Sequence, residues 1–347
     1  MSTRDDAPVT IRDVARAAGV AVSTASRALN GVSTSTRGKS SAAQIRQVAD
    51  SLGYVPHHAA RALRGLRTSV VVLADDPSSA TSGPIIEAME HHARGRGDVV
   101  VSGAAIGPDP GAQLATVRLV CSLRPLAVVV SSTRLSDPSV AGLAAEIFQD
   151  YRDNGGRLVV VGRPILDVPT LSFANVDAGA TIGRHAVSLG RTRYGILAGV
   201  SGQAVFDDRT NGFLAALDAD GVPRRDVALE HGEHSRDGGY DAMSRLLRWS
   251  PRPQIVMAVN DTIALGALAA VHDEGLRVPE DIALSGIDDQ PLARDVTPPL
   301  TTLSFPFEEA GLRAAALALD EATGEAPREE LRGELVVRES TVGRATG

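Results

Sequence analysis

From Val70 onward the chain alternates short apolar runs with longer stretches of helical periodicity. The runs are Val70–Ala74, Val99–Val101, Leu126–Val130, Leu158–Val161, Tyr194–Ala198, Ile255–Val259 and Ile282–Ile287. Short, branched apolar runs separated by helix-length segments predict strands in a parallel α/β arrangement, and here the pattern occurs twice over. Before Val70 the rhythm changes. Thr10 and Asp13 match a capping box, and Ile11, Val14, Ala15 and Ala18 recur at helical spacing until Gly19 stops them. Val20–Val22 read as a turn, and Ser23–Asn30 as a second short helix that turns Val22, Ala25, Ala28 and Leu29 inward and ends before Gly31. Two short helices joined by a glycine turn predict a helix-turn-helix. The polar tract Val32–Ser41 that follows reads as a mobile loop.

Length and composition narrow the class. At 347 residues and 36.1 kDa, the chain is long enough for two to three domains, at about 150 residues each. No segment approaches the roughly 18 uninterrupted apolar residues of a membrane span, and the polar start Met1–Asp6 leads into no apolar signal segment. A cytoplasmic chain is expected. Cys121 is the single cysteine, which excludes an internal disulfide and a cysteine-based zinc site; it falls in a helical pattern and is expected to be a buried thiol. Neither a metal nor a cofactor is expected.

The net charge of -7 at pH 7 argues against nucleic acid until it is divided. Residues 1–67 hold ten basic and four acidic side chains, a balance of +6, so the remainder carries -13. A basic head on an acidic body is the distribution of a nucleic-acid-binding module joined to a domain that avoids phosphate, and charge alone fits a merely solvated basic face equally well.

The residues Val9–Gly31 themselves, VTIRDVARAAGVAVSTASRALNG, closely resemble the DNA-binding head of the LacI/GalR family of bacterial transcription repressors. Leu52–Pro56, Ala60–Arg64 and Arg67–Thr68 resemble the end of that family's third helix and its hinge helix. The resemblance implies that Val22, Ser23 and Arg27 reach base edges in the major groove, while Thr10, Thr24, Ser26 and Asn30 hold phosphates. Arg27 has the chemistry to read guanine, or it pairs with phosphate alone. Leu63 matches the leucine that wedges a minor-groove step, and a hinge helix this short is expected to order only on DNA; a leucine packed on the body is the plainer alternative. Three departures accompany the match. The Val32–Ser41 tract is about five residues longer than the usual connection, His57 replaces the usual asparagine, and Ala21 replaces a capping serine, leaving Ser23 as substitute.

The expected fold class is therefore α/β, a small all-α helix-turn-helix head plus a two-lobed core like periplasmic binding proteins, with parallel sheets flanked by helices. The boundaries read as 1–55 for the head, 56–68 for the hinge and linker, and 69–347 for an effector-binding and dimerisation core. Lobe one takes about 69–169 and 302–330, lobe two about 170–301 and 331–347, with Leu335–Thr341 as a final strand returning to lobe two.

Ligands of open parallel sheets bind beyond the carboxyl ends of strands. The residues there are polar: Asp75 and Asp76, Ser131 and Ser132, Arg163, Asn260 and Asp261, Asp288 and Asp289. Aspartate, asparagine and arginine together can bracket vicinal hydroxyls. The resemblance implies effector contacts at Arg209, Asn260 and Asp288, with Tyr240 and Phe307 as an aromatic wall, and Asp76 joins them from the first strand end. Asp261 reads equally as a helix cap and Asp289 as a turn residue.

Enzymatic readings fail on geometry. Asp288 and Asp289 are neighbours pointing apart rather than an opposed carboxylate pair, Gly38–Ser40 lacks the first glycine of a phosphate loop, and His231-Gly232-Glu233-His234 lacks metalloprotease spacing. Two functions are carried forward. One is a homodimeric regulator, a repressor by resemblance, that binds a pseudo-palindromic operator in double-stranded DNA and answers to a sugar-like effector. The other is a solute-binding protein with no DNA role.

Overall fold

The computed structural model describes residues 11–29, 36–52, 69–77, 79–96, 98–107, 109–320 and 327–343. The chain divides between Thr68 and Ser69 into two compact units. Among the described residues no helix is long and apolar enough to cross a membrane.

The head contains α1 (Ile11–Ala17), α2 (Val22–Leu29) and α3 (Thr36–Ser51). Its core is small and alanine-rich: Val14 and Ala15 of α1, Ala25 and Ala28 of α2, and Ala42, Ile45 and Ala49 of α3. Such short side chains let three helices approach closely around one layer of apolar contact. Gly19 stands at φ +65°, and Val20 N–H returns to the Ala15 carbonyl at 3.0 Å, so the glycine end of α1 is closed as its left-handed geometry allows. The tract expected as a loop is corrected in part, since α3 begins at Thr36 and Thr36–Ser41 extends that helix at its start. The run carries no proline, and six further residues add backbone hydrogen bonds to a helix already nucleated on the core.

The larger unit opens with β1 (Ser69–Ala74), α4 (Ser82–Arg94), β2 (Val99–Ala105), α5 (Pro110–Ser122), β3 (Ala127–Ser131), α6 (Pro138–Asp153), β4 (Arg157–Val161) and β5 (Thr170–Phe173). It continues with α7 (Asn175–Ser188), β6 (Tyr194–Ala198), α8 (Ala204–Ala219), β7 (Val227–His231), α9 (Arg236–Leu246), β8 (Ile255–Ala258), α10 (Asp261–Asp273), β9 (Ala283–Ser285) and α11 (Leu292–Asp295). The chain then returns through β10 (Thr302–Ser304), α12 (Phe307–Leu319), β11 (Arg328–Leu331), β12 (Glu334–Val336) and α13 (Glu339–Val342). One sheet has the order β11-β5-β4-β3-β1-β2, the other β7-β6-β8-β9, and every pairing within them is parallel. Parallel strands covered by helices on both faces read as continuous apolar runs, which is why β1, β3 and β4 carry four or five consecutive buried residues.

Two lobe boundaries are corrected. Thr170–Phe173 pairs with both β4 and β11, so it closes the first sheet, and lobe two starts with α7. Thr302–Ser304 joins neither large sheet; β10 pairs antiparallel with β12, and this two-stranded ribbon carries the chain between the lobes. The expected final strand is correspondingly short, and Glu339–Val342 is a helical turn that binds lobe two through Ser340, whose hydroxyl donates to Leu284 O at 2.6 Å. Cys121 is half-buried on α5 rather than fully enclosed, and its burial pushes the thiol up to about 11.

Candidate functional site

On the head, Val22 and Ser23 are exposed at the N-terminal end of α2, and Thr24 is half-exposed. Ser26 is only 9 % exposed, so the surface this helix offers is built at its first turn. Thr10, Asn30 and Leu63, together with the side chain of Arg27, lie outside the described residues.

In the larger unit the polar strand ends converge on Arg209. This α8 residue is held at depth because α7 and α8 cross through glycines: a Cβ at Gly179 would collide with the Arg209 carbonyl, and one at Gly212 with that of Val176. Backbone contact that close fixes where the guanidinium emerges. Its Nε donates to Asn175 Oδ1 at 2.9 Å, Nη1 to Val259 O at 2.8 Å and Nη2 to Asp288 Oδ1 at 2.9 Å. The Phe305 ring lies beneath it, 5.6 Å from the guanidinium carbon. Asp288 adopts φ +112° and is anchored through its N–H to Leu303 O at 2.8 Å; burial pushes its carboxyl upward, and Arg209 opposes that shift. Strain stored at a polar residue on a strand end is a mark of a binding site.

The neighbouring residues divide into those facing this cluster and those serving the scaffold. Asn260 is the cap of α10, accepting from Ile263 N–H at 2.9 Å through Oδ1, which leaves its amide hydrogens as what it can give a ligand. The capping role read for Asp261 therefore belongs to the preceding residue. Asp261 is instead buried, its oxygens accepting from Thr302 Oγ1 at 2.6 Å and Gln290 N–H at 2.8 Å. Burial, with Asp288 adding to it, lifts its carboxyl up to about 8. Asp289 sits in a turn at φ +48° and is paired with Arg338 at 2.6 Å. Phe307 is packed with Phe173 and Phe305, ring centroids 5.2 to 6.0 Å apart, at the place where β5 and β10 leave their lobes.

From lobe one, Asp75 accepts from Thr133 N–H at 2.9 Å and Thr133 Oγ1 at 2.6 Å, and also from the Ser132 hydroxyl. Arg134 donates to Ile106 O. Asp76 is exposed beside them. Arg163 of lobe one faces Asp208 of lobe two at 3.8 Å. Tyr240 is corrected: its hydroxyl donates to Asp273 at 2.9 Å, the last residue of a helix whose first residue, Asp261, is at the cluster, about 18 Å away by helical rise. The aromatic wall is made by Phe173, Phe305 and Phe307 without it. Asn175, Phe206 and His234 were missed by sequence reasoning; the His234 ring meets Phe206 edge-on with centroids 4.9 Å apart.

Residues 10–57 match the profile described as bacterial regulatory proteins, lacI family, and residues 184–341 that of a periplasmic binding protein-like domain. The transcriptional regulator GalR of Escherichia coli is 31% identical over 312 residues, 89% of this chain and 88% of GalR. The chain belongs to the lacI family of bacterial regulatory proteins. It is a DNA-binding transcriptional regulator with an effector-binding core. Among solved structures, the transcriptional regulator CelR in complex with cellobiose superposes with a TM-score of 0.68 at 26% identity, covering 96% of this chain and 99% of that one. The lac repressor dimer bound to operator and the anti-inducer ONPF shares the fold, with a TM-score of 0.81 at 23% identity over 97% of this chain and 100% of that one. The lacI-family match at the head sets aside the reading as a solute-binding protein without a DNA role.

Proposed function

We propose that the chain is a cytoplasmic homodimeric repressor whose affinity for a pseudo-palindromic operator changes when a neutral, sugar-like molecule enters the cleft around Arg209, and that it catalyses no reaction. The buried Arg209–Asp288–Asn175 cluster at the strand ends of lobe two carries this reading. A guanidinium and a carboxylate fixed side by side offer donors and acceptors at the spacing of adjacent hydroxyls, and phenyl rings beneath them suit the apolar face of a pyranose. Val22 and Ser23 are the proposed base-reading positions, joined by Arg27, with Thr10, Thr24, Ser26 and Asn30 on phosphates and Leu63 in the minor groove. Asp76, Arg209, Asn260, Asp288 and Phe307 remain the proposed effector contacts.

The proposed docking surface for a second copy is on lobe two. A groove of about 550 Å³ there is lined by Leu265, Leu268, Leu292 and Val296 with Arg236 and His272, and Leu292 is 56% exposed. The exposed Leu292 beside the half-buried Leu265 and Val296 offers an apolar contact for a second copy, and a two-fold pair carries two heads for the two half-sites of a pseudo-palindrome. Closing the lobes on effector shifts the balance between operator-competent and incompetent forms by its differential affinity for the two.

The test is selection of duplexes from a random pool by the full-length protein, followed by release assays with neutral sugars. An enriched inverted repeat, with binding that falls steeply in salt and shifts on adding sugar, is the expected result. Absence of any enriched sequence, with and without sugars, would overturn the repressor reading.

A further inference from the structure

The loop between β7 and α9 places His234 against the effector cluster. Phe206, which its ring touches, lies one helical turn before Arg209 on α8, so both present to the same side of that helix. Four charges reach the imidazole: Asp288 and Arg209 from lobe two, Asp75 and Arg134 from lobe one. On its own loop, Glu233 precedes it, and His231 is engaged through Nδ1 with Gly199 O at 2.9 Å. Neither His234 ring nitrogen meets a hydrogen-bond partner among the described residues. The residue is exposed to solvent, with its polar atoms available.

We propose that His234 sets the charge class of the effector: as neutral imidazole it admits an uncharged polyhydroxylated ligand, and as imidazolium it turns the same cleft toward an acidic one. The fixed charges around it pair off, Arg209 with Asp288 at 2.9 Å and Arg163 with Asp208 at 3.8 Å, while Arg134 stands beside Asp75. With Asp76 and Glu233 exposed nearby, one proton on His234 makes the cleft more positive by one charge and so favours an anionic ligand over a neutral one. Histidine is the side chain that makes such a change near neutrality without breaking an ion pair. Burial, with Arg209 and Arg134 adding to it and the two aspartates opposing, holds its pKa below the usual histidine value. A neutral ligand displaces water from the ring and disfavours the imidazolium further, so its binding weakens as pH falls through the free-state value. An anionic ligand does the reverse.

The inference rests on the effector cleft proposed above, and calorimetry on the full-length protein separates the two. Glucose and cellobiose serve as neutral probes, and glucuronate as an acid ionised throughout, each at about pH 8 and about pH 5.5. A neutral sugar that binds at the higher pH is expected to bind about two- to fivefold more weakly at the lower, the effect of up to one unit of linked pKa change on a group that titrates below 6.5, while glucuronate gains relative to glucose. His234→Gln and His234→Phe should flatten both trends. A flat wild-type profile, or the same slope in folded variants, overturns the role of His234 while leaving the cleft intact. If neither neutral sugar binds at pH 8, the sugar reading falls and this inference falls with it. Asp261→Asn removes the other group that titrates in this interval and should leave both slopes in place; slopes lost in that variant overturn the role of His234, also where both His234 variants fail to fold.

Discussion

The Arg209 guanidinium donates to the Asp288 carboxylate at 2.9 Å, with the two side chains only 7% and 5% exposed. A pair so enclosed has little water to fall back on, and its value lies in what each partner prevents the other from becoming. Arg209→Met leaves Asp288 buried without its cation. The expected cost is about 3–5 kcal/mol of stability, read by urea unfolding, together with loss of the response to effector. Adding Asp288→Asn should restore much of the stability but none of the response. Full restoration of both would show that the cluster is structural only.

Asn260 separates capping from recognition. Asn260→Ala removes the acceptor for Ile263 N–H and should cost about 1 kcal/mol. Asn260→Ser keeps a cap oxygen and discards the amide hydrogens. Near-wild-type melting with a weakened effector response in the serine variant is the expected pattern, measured by thermal unfolding and operator release; an unchanged response would assign Asn260 to the scaffold.

Asp261 gives the core a pH dependence of defined sign. Its carboxyl is lifted to about 8 in the folded chain, against about 3.9 for an unfolded aspartate. Across that interval the folded state holds more protons than the unfolded one, so this group's contribution to stability falls as pH rises from about 4 to about 8. Asp261→Asn can donate to Thr302 and accept from Gln290 with no charge to bury. It is expected to flatten the melting temperature between about pH 5 and about pH 8, and to stabilise the protein at the upper end. A variant that keeps the wild-type slope would place that titration elsewhere.

Gly179 tests the crossing that positions Arg209. Gly179→Ala puts a methyl carbon against the Arg209 carbonyl, and forcing α7 and α8 apart should cost about 1–3 kcal/mol. Effector response should fall more than operator binding in the absence of effector, since the head is a separate compact unit. Equal loss of both would contradict this.

At the head, Ser23→Ala is expected to change the preferred sequence at one operator position with the salt slope unaltered, because base contacts specify and phosphate contacts set the slope. A changed slope with unchanged preference would move Ser23 to the phosphate class.

The helix-turn-helix and the long buried strands were legible because their signals are local: a glycine stop in α1, and unbroken branched apolar runs in β1, β3 and β4. β7 and β5 were not. β7 is an edge strand whose apolar run is only Val227-Ala228-Leu229, with Val227 and Leu229 half-exposed, before Glu230 and His231, which is too short a run to detect. Missing it hid His234, because the search for ligands began from strand ends. β5 is four residues long and follows Pro169 directly, so it read as a break. Tyr240 failed for a different reason: its place along the chain is near the site, but α9 carries its ring toward the far end of α10, a direction set by helix packing alone.

The ribbon of β10 and β12 and the Phe173–Phe305–Phe307 contact lie where the backbone passes from one lobe to the other three times. Three crossings side by side tie the lobes along one line, as hinges tie a door, so swinging about that line disturbs fewer contacts than drawing the lobes apart. The angle of that swing is the coordinate through which a ligand on the Arg209 side bears on the opposite lobe.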